Sequence, residues 1–367
     1  MRNKKGFWFI LALVIVIFAA GIVVFKLLAT QENAKQIQNL DITNSKAFLY
    51  SSTTAEKFIT TGSFYTISKQ NKVDRALGTK GLELGRILLA DTGVVINDEK
   101  YRYSVTDKAI KKTKRQTSEF TGDLVGHTNG YQVELYNSGY DGDGVYTSNL
   151  YVSKDGKELL KTLPYFIIGS GLHDGKLYVM EQDESKLALH EITLGANFAD
   201  TTLVTLPNNV EGFSLLDNFK FGGNNLYMPT RQDNTYTIMK INLATKMIED
   251  IPFDSAKEND EAELLMAASY RDSTHLTKNS YMYLSRRGVL YTFDINAVLQ
   301  NKKELVPMKA STILTDWDQD NLYVYRQDED DSYLETYDFE AHKQIEKVKL
   351  KTSYVSGEYI YDFKMNK

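Results

Sequence analysis

Leu322-Tyr323-Val324-Tyr325-Arg326-Gln327-Asp328 decides the fold, because near copies stand upstream at Leu177-Tyr178-Val179-Met180-Glu181-Gln182-Asp183 and Leu226-Tyr227-Met228-Pro229-Thr230-Arg231-Gln232-Asp233. A turn-rich lead precedes each copy, at His173–Lys176, Gly222–Asn225 and Asp318–Asn321. A second run follows each, at Leu187–Ile192, Tyr236–Ile241 and Tyr333–Phe339, and a looser fourth copy pairs Tyr281–Ser285 with Val289–Ile295. Runs rich in Tyr, Val, Ile, Leu and Thr, bounded by Gly, Asp and Asn, are strands joined by turns. The sequence therefore repeats one unit: turn, strand, hairpin loop, strand.

Markers set on the presumed inner strand of each unit fall at Ala47, Val94, Tyr131, Leu177, Leu226, Tyr281, Leu322 and Tyr359. Their spacing centres in the forties, the period of a β-propeller, whose blades are four-stranded sheets ranged round a central channel. Residues 46–367 then make about seven blades; six or eight fit less closely, the units before Tyr131 being poorly patterned. Eight markers fit seven blades if the last run, Tyr354–Phe363, shares a sheet with the N-terminal strands between Ala47 and Ile67. Such sharing removes the free edge of the ring, and open edges are a hazard in all-β proteins.

The four-strand repeat resembles the broad superfamily of bacterial β-propellers of the quinoprotein, YVTN and WD-repeat kind. It covers the body from Lys46 onward. Gly126-His127 and Trp317-Asp318 each occur once, in units far apart, and the chain has only 2 tryptophans, so recurrent tryptophan-docking motifs are absent. The resemblance implies an all-β propeller and transfers no functional residue.

Composition narrows the classes. The 367 residues carry a net charge of −5, which gives no bulk basic field for nucleic acid. The absence of Cys removes disulfides, thiolate ligands, a Cys nucleophile and a lipid-modified N-terminal Cys.

Gly6–Phe25 is twenty residues without charge, and at about 1.5 Å of rise per residue a helix of that length crosses the roughly 30 Å hydrocarbon core. Arg2, Lys4 and Lys5 precede it, so the positive-inside bias keeps residues 1–5 cytoplasmic and exports the remainder. The expected organisation is a cytoplasmic N-terminus (1–5), a transmembrane signal anchor (6–28), a polar linker (29–45) and an extracytoplasmic propeller (46–367). A signal peptide cleaved at Ala19-Ala20-Gly21 competes with the anchor, as does a buried soluble helix.

Several stretches invite a chemical reading. Asp316, Asp318 and Asp320 stand at alternate positions, as in calcium loops, but Asn321 occupies the sixth position where Gly belongs and Gln327 the twelfth where Glu belongs. A polar turn is the simpler reading. Tyr140-Asp141-Gly142-Asp143-Gly144-Val145-Tyr146 sits in an insertion where two aromatics and two carboxylates could stack a sugar or hold a cation, against the plain alternative of a hairpin loop. Lys108, Lys111, Lys112, Lys114 and Arg115, like Lys343–Lys351, fall where outermost strands belong; lysines there block sheet-to-sheet association, the competing reading being an anionic polymer site. Asp254–Glu263 reads as a solvated loop between blades. His127, His173, His190, His275 and His342 are scattered without zinc or hydrolase spacing, and no GxSxG, P-loop or strand-to-helix GxGxxG is present.

No catalytic, ligand-binding or metal residue is assigned at this level, and no cofactor is expected. The sequence supports a membrane-held binding or scaffold module for a protein or cell-envelope partner, with its single N-terminal helix in the membrane. An envelope hydrolase or lyase with its site at the propeller axis, and an accessory or sensor subunit of a membrane complex, are the alternatives. A plugged channel with exposed aromatics favours binding, and a deep axial pocket of convergent charged groups favours catalysis.

Overall fold

Every repeat becomes one antiparallel sheet, six of four strands and one whose innermost strand is split in two, and these seven sheets form the body of a seven-bladed propeller. The computed structural model describes residues 40–367, apart from 196–197, 208–209, 258, 307–311, 329–330 and 353. The apolar stretch Gly6–Phe25 lies outside the described residues. Among the described residues, no helix is long and apolar enough to cross a membrane.

Blade 1 joins the two ends of the body. Its order is Tyr359–Met365, Ala47–Ser52, Gly62–Ile67, Val73–Thr79, so the last strand of the chain is innermost and pairs with the first. Ala47–Ser52 is buried along its whole length between two partners. The shared sheet read from the surplus marker is thus present. Part of the stretch read as linker packs on the body: Leu40 and Ile42 are buried, and the Asn366 side chain donates to Ile42 O at 2.9 Å.

Blades 2, 3 and 4 start at Ile87–Ala90, Thr121–Thr128 and Phe166–His173; blades 6 and 7 start at Thr274–Leu276 and Thr312–Trp317. Blade 5 has a split innermost edge, Phe213–Leu215 and Lys220–Gly222, both paired with Asn225–Gln232. The sequence markers from Ala47 to Leu322 lie on the second strand of each blade, one strand further out than expected. Innermost strands are short or interrupted because space at a hub is narrow. The second strand, covered on both sides, carries the clearest apolar pattern.

The core is divided among the interfaces between blades. One cluster joins Val133, Leu135 and Leu150 of blade 3 to Leu177 and Val179 of blade 4; another joins Tyr227 and Ile238 of blade 5 to Tyr281 and Phe293 of blade 6. Tyrosine dominates the large buried side chains, and its hydroxyls find acceptors: Tyr136 donates to Glu134 at 2.8 Å, Tyr236 to Ala262 O at 2.6 Å and Tyr283 to Leu265 O at 2.7 Å. Their rings fill the apolar space between sheets while these hydroxyls avoid an unsatisfied burial; the buried Tyr281 hydroxyl, which has no partner among the described residues, is an exception.

The outermost strands face water. Ile110–Lys114, Leu299–Glu304 and Lys343–Leu350 are almost wholly exposed, and Lys111, Lys112 and Lys114 lie on the first and Lys343–Leu350 is the last of these. Arg115, read with the first basic run, is instead buried, donating to the Tyr136 hydroxyl at 3.0 Å and facing Glu134 at 3.7 Å. Because strands alternate in direction, the loops between second and third strands share one face with the connections between blades. We call this the loop face; the residues leading into Ala47–Ser52 enter the body on the opposite face.

A plugged hub and its open mouth

The longest spacing between markers, from Leu226 to Tyr281, contains the connection from blade 5 to blade 6. It begins with the short helix α1, Asn259–Leu265, and then turns inward. Ser269 N–H donates to Ser273 Oγ at 2.6 Å, and Ser273 Oγ–H donates to Ser269 O at 2.8 Å, which fastens a tight turn over Tyr270-Arg271-Asp272. Arg271 takes a φ of 73°, a left-handed conformation that L-residues adopt at a strain and that surrounding contacts must hold.

Those contacts come from the other six blades. The Arg271 guanidinium pairs with Asp123 of blade 3 and donates to Ile168 O of blade 4 at 2.7 Å and to Asn218 Oδ1 of blade 5 at 2.9 Å. Asp272 pairs with Arg86, just ahead of blade 2, and with Lys364 of blade 1 at 3.2 Å; its carbonyl accepts the Trp317 indole N–H of blade 7 at 2.9 Å. Arg86 also donates to Tyr270 O at 3.2 Å and faces Asp362 at 3.7 Å, and Asp362 accepts the Ile87 N–H at 2.6 Å. At the rim of the hub Lys367 meets Asp316 of blade 7 at 3.2 Å. Charges of both signs alternate through the hub, each beside its opposite.

The electrostatics follow. Burial pushes the Asp272 carboxyl up, but Arg86 and Lys364 outweigh it and hold the group below the usual carboxylate range. For Asp362 burial prevails over the same cations and the pKa rises. Asp217 sits in the break between the two inner pieces of blade 5. Burial raises its pKa, and Thr274 Oγ1 donates to it at 2.8 Å.

Above the plug, on the loop face, the axis opens into a cavity of about 590 Å³ lined by Leu215, Asp217, Met266, Tyr270, Ile313 and Tyr359. A second cavity of about 370 Å³ shares Ile168, Leu215, Tyr270 and Arg271 with it, so the two adjoin along the plug. Volumes of this size and largely apolar walls belong to ligand and peptide sites. On the same face Phe58, Ile59, Phe120, Tyr140 and Tyr359 are exposed, Tyr359 in the wall of the first cavity.

The stretches singled out in sequence lie elsewhere. Asp318 Oδ1 accepts the N–H groups of Asp320 and Asn321 at 2.9 and 2.7 Å, which makes a polar turn, while Asp316 is drawn to the hub. Asp141 Oδ1 accepts the N–H groups of Asp143 and Val145, both at 2.9 Å, and Tyr140 meets Tyr146 edge to face at 5.1 Å: a hairpin loop held by its own carboxylate. The acidic run starts on the outer strand of blade 5, where Tyr291 donates to Asp254 at 2.5 Å, and continues into α1. The five histidines are spread over four blades. His275 stacks on Trp317 at 5.3 Å, and burial brings its pKa down to about 4. His190 is bridged by Asp200 at 2.9 Å and Glu181 at 2.8 Å, beneath the Tyr165 ring. Among the described residues no three His, Asp or Glu are placed to hold a metal ion.

Sequence reasoning missed Arg86, Asp123, Arg271, Asp272, Asp362 and Lys364. The one signal was the unusual length of the interval from Leu226 to Tyr281, which has no repeat unit to account for it.

Fold and hub together define a seven-bladed propeller closed by a shared blade. The chain belongs to the family of the YycP beta-propeller domain, whose model matches residues 41–366. It is 26% identical over 295 residues to the uncharacterized protein YycP of Bacillus subtilis, covering 76% of this chain and 71% of that protein. Among solved structures, a protein of Lactobacillus plantarum is similar with a TM-score of 0.53 at 10% identity, covering 88% of this chain and 100% of that one. A functionally unknown protein of Desulfotomaculum acetoxidans is similar with a TM-score of 0.51 at 11% identity, covering 86% and 99%. At such identities the two structures share the fold alone.

Proposed function

We propose that the protein is a membrane-anchored, extracytoplasmic binding module that presents the loop face of its propeller to a protein or cell-envelope partner and performs no chemistry itself. The observation that carries this reading is the hub: charged groups converge on the axis, but Tyr270-Arg271-Asp272 fills the space they enclose and pairs with them. What is left open is a largely apolar mouth on a face that also carries exposed aromatics. Rigid blades hold the loops in fixed relation, so a partner meets a preorganised surface at small ordering cost. The uncharged Gly6–Phe25 stretch supports the anchor. Since the chain joins the body on the opposite face, where Thr43 N–H donates to Asp107 at 2.9 Å, an anchor of that kind turns the loop face away from the bilayer.

The test is site-specific photo-cross-linking of the full chain in cells, with the reactive residue at Tyr359 or Tyr140 on the loop face and at Met247 or Val298 on the opposite one. Capture of one partner from the first pair alone supports the reading. Capture from the second pair alone, or from both equally, overturns it.

A second reading, an envelope hydrolase or lyase, is favoured by Asp217, a buried carboxyl of raised pKa lining the cavity. In that case Asp217→Asn abolishes turnover of an envelope substrate and leaves capture at Tyr359 intact.

A further inference from the structure

Large apolar side chains at a loop tip need an account when the loop itself is held firmly. Phe58 is 102% exposed and Ile59 72% exposed in the loop between the second and third strands of blade 1. The loop is pinned at four points. Thr53 N–H donates to Thr61 O at 2.9 Å, Ala55 N–H to Glu83 at 3.0 Å, Thr60 Oγ1–H to Glu99 at 3.3 Å, and the Lys57 ammonium to Gly357 O at 3.3 Å. Its two apolar residues are therefore displayed on a fixed support.

Beside them lies a cavity of about 180 Å³ between the loops of blades 1 and 2, with Phe58, Phe120, Glu83, Glu99 and Glu119 in its walls. Glu119 is spent internally, accepting from Ser138 at 2.7 Å and Tyr151 at 2.8 Å. Glu99 faces one cation, Lys100, at 3.4 Å, and no ion pair is made by Glu83 among the described residues. Lys57, the one basic residue in the wall, is engaged with Gly357. Two aromatic rings and an excess of carboxylate in a space this small match the head and stem of a lysine or arginine, which rings attract by their faces and carboxylates by charge. The same carboxylates oppose an anionic lipid surface.

We propose that this cavity receives a lysine or arginine side chain of a partner polypeptide, with Phe58 and Ile59 packing on that segment's apolar residues. The inference deepens, and rests on, the reading that the loop face meets a partner. It names the partner's chemistry: a segment in which cationic and apolar residues alternate.

The test uses the full chain in nanodiscs of zwitterionic lipid and two fluorescein-labelled hexapeptides, one alternating phenylalanine with arginine and one with glutamate in place of arginine. The arginine peptide should bind at least ten-fold more tightly. Phe58→Ser with Ile59→Ser should weaken it at least ten-fold while leaving the denaturation curve unchanged, since both side chains are in water. Glu83→Gln with Glu99→Gln, which keeps the loop's acceptors, should weaken it and flatten its dependence on salt. Failure of the arginine peptide to bind, equal binding of the two peptides, or indifference to these variants overturns the proposal. So does binding of anionic vesicles that is lost with Phe58→Ser and Ile59→Ser. If a partner captured at Tyr359 is unaffected by the Phe58 and Ile59 variants, this inference fails and the loop-face reading stands. If Tyr359 captures nothing, the underlying reading fails instead.

Discussion

Arg271 shows how much of the hub depends on single side chains. Its guanidinium lies buried against Asp123, and its neighbour Asp272 against Arg86. Removing one member of a buried pair leaves the other desolvated and alone, which costs about 3–5 kcal/mol. Arg271→Ala should lose stability on that scale in urea denaturation, and Asp123→Asn with Arg271→Met should recover part of it; a loss under about 1 kcal/mol for Arg271→Ala would show the plug to be incidental. His190 gives a second test. Burial disfavours its charged form, but the hydrogen bonds to Asp200 and Glu181 prevail and raise its pKa above the ordinary 6.5. Its contribution is accordingly full below that unfolded value and is lost as pH rises through the higher folded one. Asp200, depressed by His190 and Tyr165 in spite of burial, behaves oppositely: its share is lost as pH falls through its lowered pKa. His190→Gln should destabilise most between these limits and progressively less at alkaline pH. A stability gap between His190→Gln and the parent that does not shrink above neutral pH would contradict the assignment.

Among the elements, the decisive one is Tyr359–Met365, which lies innermost in blade 1 and covers one side of Ala47–Ser52. Deleting Tyr359–Lys367 uncovers a buried strand and removes Asp362 and Lys364 from the hub. The truncated body should unfold at far lower urea than the parent, whereas trimming Lys367 alone should have a small effect. The outer strand Ile110–Lys114 has the contrary role. Replacing Lys111, Lys112 and Lys114 by threonine should leave stability nearly unchanged and lower solubility, because an unguarded edge pairs with its own kind; unchanged solubility at high concentration would point to a different task for these lysines. These elements also show what a sequence reveals. Strands such as Leu177–Gln182 repeat their residues because each is covered on both faces, and so the blades were legible. The three-residue inner pieces of blades 5 and 6 carry too few residues for any period, which is why the markers settled one strand outward.

For the whole molecule, closure and placement are the consequences that matter. The ring was legible because eight markers exceeded seven sheets. The plug was not, since Tyr270-Arg271-Asp272 repeats nowhere and its partners are drawn from positions between Arg86 and Lys364 that only the closed wheel brings together. The proposed anchor predicts that the full-length protein stays with membranes through a carbonate wash; recovery of a soluble form beginning beyond Ala20 would rule the anchor out. Presentation by a fixed face requires a wheel locked by its own two ends, and the absence of cysteine makes that point measurable. Asn366 N–H donates to Lys46 O at 3.1 Å, so the neighbouring pair, Ala47 with Met365, is of the non-hydrogen-bonded kind, whose Cα atoms approach to about 4.5 Å. Such a pair lies within reach of a disulfide. In a protein carrying Ala47→Cys and Met365→Cys, mild oxidation should yield an intramolecular bond between the two ends, found by peptide mapping, in a folded body more resistant to urea than its reduced form. No bond, or bonds only between molecules, would contradict the closed ring on which the functional reading stands.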